Sequence, residues 1–239
     1  MNARRITSAF LALVSAATIA ACDDDDDDPI GVGNNNTTVR FFNAASGGLN
    51  LDIAQGGTVG AGNANLGFGS ASSCTRVNNA NHQLAVRTAN STTSLPGFSP
   101  AFAAGGTYTI LVTGTATAPV FTTLDDEFDA PGAGNAAVRI INATSTATTG
   151  AGSYDIYVNP TATLGTPNAT AVQRNAQSSY LTVPAGQSNT LRLTNTGETD
   201  TVQDITVPSL TAGSVTTIVI ADAASGSSDL RTFPLPACT

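Results

Sequence analysis

The sequence predicts an all-β protein of two tandem antiparallel β-sandwich domains of Ig-like type, and three observations carry that prediction. Short runs of alternating apolar and polar residues recur along the chain, bounded by Gly, Pro, Asn and Ser, the period-2 pattern of half-buried strands. No stretch after residue 22 sustains a 3.6-residue apolar period. The chain also repeats itself: Val39-Arg-Phe-Phe-Asn-Ala returns 99 residues later as Val138-Arg-Ile-Ile-Asn-Ala.

The amino terminus has its own logic. Arg4 and Arg5 precede a short apolar run from Ala9 to Ile19, which is too short for a spanning helix and reads as a secretory leader. Ile19-Ala20-Ala21-Cys22 resembles the bacterial lipobox. The resemblance implies a signal peptide over residues 1–21, cleavage before Cys22, a diacylglycerol thioether on the Cys22 sulfur and attachment to a membrane. Asp23 to Asp28 and the Asn-rich segment after them cannot bury apolar surface, so residues 22–37 read as a solvated tether. Adjacent carboxylates on such a chain lack the oxygen cage that Ca²⁺ requires. An Asp after the lipidated Cys resembles the inner-membrane retention signal of enterobacterial lipoproteins. The expected location is therefore the bacterial cell envelope, extracytoplasmic, with inner and outer membrane both open.

The two copies align with offsets that only grow. Asp52-Ile53 matches Asp155-Ile156 at 103, Ser72-Ser73 matches Ser178-Ser179 at 106, Leu84 matches Leu191 at 107, and Pro100 matches Pro208 at 108. Conserved strand order with lengthening turns is what duplication produces. The expected domains are residues 38–124 and 137–239, joined by an acidic, Pro- and Gly-containing linker over 125–136. The second copy is expected to hold strands near 137–141, 153–158, 179–183, 190–194, 203–207, 215–221 and 230–233. Regular strand spacing in a unit of about 100 residues suits a two-sheet sandwich better than a solenoid.

Charge excludes some functions. The net charge is −8, every basic residue is Arg, and residues 29–239 hold 7 Arg against 11 acids. So dilute a positive charge excludes a phosphate-binding surface, and no nucleic-acid partner is expected.

Val138-Arg-Ile-Ile-Asn-Ala, Tyr154-Asp-Ile-Tyr-Val and Ala176-Gln-Ser-Ser-Tyr-Leu-Thr-Val-Pro-Ala-Gly186 together resemble domain of unknown function 4397, a family of bacterial secreted and anchored proteins that often occurs in tandem. The family commonly carries His where Asn43 and Asn142 stand here. The first copy also departs from the pattern at Cys74, where the second has Tyr180. The resemblance brings no activity with it.

Candidate chemistry is sparse. Cys74 and Cys238 most simply form a disulfide in an oxidising compartment, with intermolecular pairing or two free thiols as the alternatives. The single His, His82, stands in a polar turn and reads as a solvated side chain, so no Ser-His-Asp arrangement or His/Cys zinc site is available. Asp125, Asp126, Glu127 and Asp129 are solvated linker acids by default and form a weak candidate Ca²⁺ site. Asp52 and Asp155 occupy equivalent strand positions and read as outward-facing structural acids. No cofactor and no catalytic residue is expected. The expectation is a non-enzymatic, lipid-anchored structural or protein-interaction module whose partner is the membrane, through Cys22, and an envelope protein or glycan. The alternative is a carbohydrate-binding surface module, for which Tyr154 and Tyr157 are the available aromatics.

Overall fold

Side chains alternate across a pleated strand, and that alternation decides how this chain layers. The computed structural model describes residues 36–80, 82–145, 152–222 and 230–238; the leader, Cys22 and nearly all of the tether lie outside them. Every regular element among the described residues is a strand. The first copy supplies β1 (Asn36–Asn43), β2 (Leu51–Gln55), β3 (Thr58–Val59), β4 (Thr75–Asn78), β5 (Leu84–Thr88), β6 (Thr107–Gly114) and β7 (Pro119–Asp125). The second supplies β8 (Asn135–Asn142), β9 (Ser153–Val158), β10 (Ala169–Gln173), β11 (Ala176–Gln177), β12 (Leu181–Pro184), β13 (Asn189–Asn195), β14 (Thr201–Val207), β15 (Val215–Asp222) and β16 (Leu230–Pro236). All seven strands expected in the second copy are present. β10 and β11, short and polar, add to them.

Four sheets result, two from each copy: β4-β1-β6-β7 and β3-β2-β5 from the first, and β8-β15-β16, edged by β11 and β12, and β10-β9-β13-β14 from the second. The first copy lacks a full counterpart of β14 and keeps only an isolated bridge between Arg87 and Ser94. The sheets are mixed rather than antiparallel throughout. β1 runs parallel to β6, with Val39 opposite Tyr108, and β8 runs parallel to β15, with Val138 opposite Thr216. A parallel neighbour needs a long crossover, and here the outer sheet of each copy forms that crossover.

Odd and even positions of these central strands enter different cores. Val39, Phe41, Ile110 and Val112 meet Ile53, Val77 and Val86 within the first sandwich. Val138, Ile140, Ile218 and Ile220 meet Ile156, Leu191, Leu193 and Ile205 within the second. The intervening residues form a third core: Phe42, Leu111 and Leu124 of the first copy pack on Ile141, Val219 and Leu235 of the second. Each fully buried side chain of this size contributes about 1.5–3 kcal/mol. The described residues accordingly form one compact unit, its inner sheets covered on both faces, as parallel pairing generally requires.

The polar positions repeat as faithfully as the apolar ones. Asn43, fully buried, donates from Nδ2 to the carbonyls of Leu49 (2.7 Å) and Leu66 (2.8 Å). Asn142 donates in the same way to Gly152 (3.2 Å) and Val172 (2.9 Å). Asp52 and Asp155 are buried, not outward-facing. Asp52 accepts the backbone N–H groups of Asn65 (2.7 Å) and Asn90 (2.8 Å), and Asp155 those of Ala171 (2.8 Å) and Gly197 (3.0 Å). All four donors lie in the left-handed region, with φ between 51° and 80°. A carboxylate on the second strand of each copy thus fixes the two loops that cross it, and a charged acceptor suits that task.

Candidate functional site at the seam between the copies

The alternation that buries Phe42 and Ile141 also drives Arg40 and Arg139 into the seam, where they are 4% and 1% exposed. Two guanidinium ions out of water need a counter-charge, and the segment joining the copies supplies it. Asp126, 7% exposed, bonds Arg139 through Oδ1 and faces Arg40 through Oδ2 at 3.4 Å. The copies contribute matched supports: Arg40 Nε donates to Thr109 Oγ1 (2.9 Å) and Arg139 Nε to Thr217 Oγ1 (3.0 Å). Thr109 Oγ1 in turn donates its hydroxyl hydrogen bond to Asp126 Oδ2 at 2.6 Å.

Arg139 has further supports. Its Nη1 donates to the Asp125 carbonyl (2.6 Å) and to Gln177 Oε1 (2.7 Å), and its guanidinium lies 4.9 Å from the centre of the Tyr180 ring. Burial lowers the Arg40 pKa from its ordinary value, with Asp126 pulling the other way and Arg139 adding to the drop. Burial likewise raises the Tyr180 phenol, against the pull of Arg139. Tyr180 therefore stays protonated and donates to the Asp126 carbonyl at 3.4 Å. A cavity of about 300 Å³ adjoins this cluster, lined by Arg40, Asp126, Phe128, Tyr180, Thr217 and Cys238 among others.

Cys74, just before β4, is bonded to Cys238, just after β16, with Cα atoms 5.8 Å apart and a sequence separation of 164. The bridge crosses from one copy to the other at the same end of the seam. Cys74 stands where the second copy has Tyr180, so the departure of the first copy from the repeat pattern serves to tie the copies together.

The other sequence candidates separate. The linker acids do not converge: Asp125 Oδ1 accepts the Glu127 N–H at 2.8 Å, Asp126 is bound to the arginines, and Glu127 and Asp129 are exposed. Among the described residues no group of three His, Cys, Asp or Glu gathers as a metal would require. His82 is half-buried rather than fully solvated. Its ring packs edge-on to Phe102 at 5.4 Å, and its Nδ1 accepts the Leu84 N–H at 3.1 Å. Tyr154 and Tyr157 are buried, 2% and 7% exposed, and offer no sugar-stacking surface. Cys22 lies outside the described residues, among which no helix is long and apolar enough to cross a membrane.

The sequence reading missed Asp126 as an ionic pin because acids beside Pro and Gly read as solvated linker. The signal lay elsewhere: Arg40 and Arg139 each stand inside an apolar run that reads as a buried strand, so each needed a partner, and the acids between the copies were the nearest supply.

No curated protein matches the chain. Residues 37–149 match the family described as Domain of unknown function (DUF4397), a stretch that takes in the whole first sandwich and the opening strand of the second, and the chain resembles that family.

Proposed function

We propose that the protein is a non-enzymatic, lipid-anchored module of the bacterial cell envelope that presents a rigid double-sandwich head to an extracytoplasmic partner. The observation that carries this reading is the use made of the charged side chains in the seam. Arg40, Arg139 and Asp126 are committed to one another, and Asp52 and Asp155 to backbone amides. Chemistry-bearing residues are thus spent on stiffness. A bridge between Cys74 and Cys238 fits an oxidising compartment, and the lipobox-like Ile19-Ala20-Ala21-Cys22 fits attachment there. The reading is tested by labelling cells with an alkynyl fatty acid and fractionating them. Label on the wild-type chain, with Cys22→Ser unlabelled and no longer sedimenting with membranes, is the expected result; an unlabelled wild-type chain would overturn the anchor. Crosslinking in intact cells, with C22S as control, then recovers the partner.

A second reading, a carbohydrate-binding module, has one observation in its favour. Phe128 is 45% exposed and tilted 59° against Tyr180 at 5.8 Å, next to the exposed acids Glu127 and Asp129. Aromatic faces beside carboxylates suit neutral sugars, and loss of glycan retention on Phe128→Ala would support it.

A further inference from the structure

The segment between the copies carries one aromatic side chain that the fold does not use. Phe128 is 45% exposed, joins none of the three cores, and is the only exposed ring among the described residues. A single exposed apolar side chain is ordinary, but this one is held in place. Just upstream, Asp126 is pinned between the arginines, its carbonyl accepts the Tyr180 hydroxyl at 3.4 Å, and Asp125 Oδ1 holds the Glu127 N–H at 2.8 Å. The Phe128 ring is thereby set against that of Tyr180, 5.8 Å away and tilted by 59°. Two ring faces meet at an angle and form a corner. The first copy cannot build one, because Cys74 stands where the second has Tyr180 and is taken by the disulfide.

The corner forms one wall of a cleft of about 730 Å³, within the range of small-ligand sites. Its charge is one-sided. Asp125, Glu127 and Asp129 line it, all three exposed, and none of them enters a salt bridge among the described residues. The one basic residue of the lining is Arg139, which is 1% exposed and answered by Asp126. Its guanidinium lies 4.9 Å from the Tyr180 ring centre, so that ring already accepts a cation within the seam. The acids do not converge as a metal requires, and an anion would meet uncompensated carboxylates. What suits ring faces and negative charge together is an organic cation.

We propose that this cleft binds a quaternary ammonium ion of the choline class, its methyl groups against Phe128 and Tyr180 and its charge balanced by Glu127 and Asp129. A bare ammonium is strongly hydrated and needs hydrogen-bond acceptors that ring faces do not supply, whereas a methylated one gives up little water and packs its carbons on them. The site shares Phe128 with the carbohydrate reading but asks a different thing of the ligand, a charge rather than hydroxyl groups. It goes beyond the anchored-module reading and stands whether or not Cys22 is lipidated.

The test is calorimetric titration of the full chain, at fixed ionic strength, with choline, its uncharged carbon isostere tert-butylethanol, ammonium chloride and D-glucose. Saturable choline binding below about 5 mM, about tenfold or more tighter than the isostere or ammonium and absent for glucose, is the expected result. Phe128→Leu keeps apolar bulk without a ring and should weaken choline about fivefold or more, and Phe128→Tyr, which restores a ring face, should recover it. E127Q/D129N should weaken choline about threefold or more at low salt, with a smaller loss as salt is raised. All three positions are exposed, so each variant should melt with wild type, and lost binding then reports the site rather than the fold. In wild type alone, choline should raise the melting temperature and the isostere should not. Equal binding of the isostere would mean a merely apolar crevice, and glucose bound in place of choline would return the corner to the carbohydrate reading. Either result overturns the proposal, as would unchanged choline binding in F128L, no saturation in wild type or no rise in its melting temperature.

Discussion

Removing the Asp126 carboxylate is the sharpest perturbation of the seam. Asp126→Ala takes from Arg40 and Arg139, 4% and 1% exposed, the buried carboxylate that bonds them both. Deleting one partner of a buried ion pair costs about 3–5 kcal/mol, because the remaining charge stays out of water, and here two charges remain. Thr109 also loses its acceptor. The expected loss is about 4 kcal/mol or more, a large share of the 5–15 kcal/mol that holds a typical protein together. Replacing all three charges together, as R40M/D126L/R139M, should cost far less than D126A alone, since apolar groups can fill such a site at little penalty. Urea unfolding of the oxidised chain, followed by tyrosine fluorescence and far-UV circular dichroism, gives each value. Asp129→Ala, at an exposed position in the same segment, is the control and should stay within about 0.5 kcal/mol. If D126A costs under about 1 kcal/mol, as an exposed pair would, Asp126 is a solvated linker acid and the reasoning about the seam is wrong.

Other predictions follow the same physics. Cys74→Ser or reduction should lower stability by up to about 5 kcal/mol on the loop-entropy estimate for 164 residues, read as a shift in the urea midpoint; an unchanged midpoint would refute the bridge. Asn142→Ala strands the carbonyls of Gly152 and Val172 and should cost about 2–4 kcal/mol in the same assay. Ala171→Gly should stabilise by about 0.5 kcal/mol or more, because Ala171 sits at φ 51° and glycine relieves that strain. Burial raises the phenols of Tyr154 and Tyr180. For a group whose folded pKa is raised, the contribution to stability is complete below the unfolded value of about 10 and is lost as pH climbs through the folded value. Ultraviolet titration should show these two ionising late, together with alkaline unfolding.

Most of the strands were legible because alternation and repetition are properties of the chain itself. Val138-Arg-Ile-Ile and its partner Val215-Thr-Thr-Ile carry the same pattern wherever they pair. Their parallel pairing was not legible, since a period of 2 says which face a residue takes and not which strand lies beside it. The Thr107–Thr113 run shows the limit well. Tyr108, Ile110 and Val112 do share a face, yet Thr109 and Leu111 on the other face are buried too, because a second sandwich covers them. Covering is a tertiary event, and it also turned Asp126 from a solvated acid into an ionic pin and gave Asp52 and Asp155 their loops to hold.

Scanning calorimetry tests most directly whether the seam fuses the two copies into one body. One transition is predicted, with the calorimetric enthalpy equal to the van't Hoff value and near 140 kcal/mol for about 200 residues at about 0.7 kcal/mol each. Two resolved transitions of roughly half that size in the oxidised wild-type chain would contradict the account, and would mean that Arg40, Asp126 and Arg139 join two sandwiches that stand and fall alone.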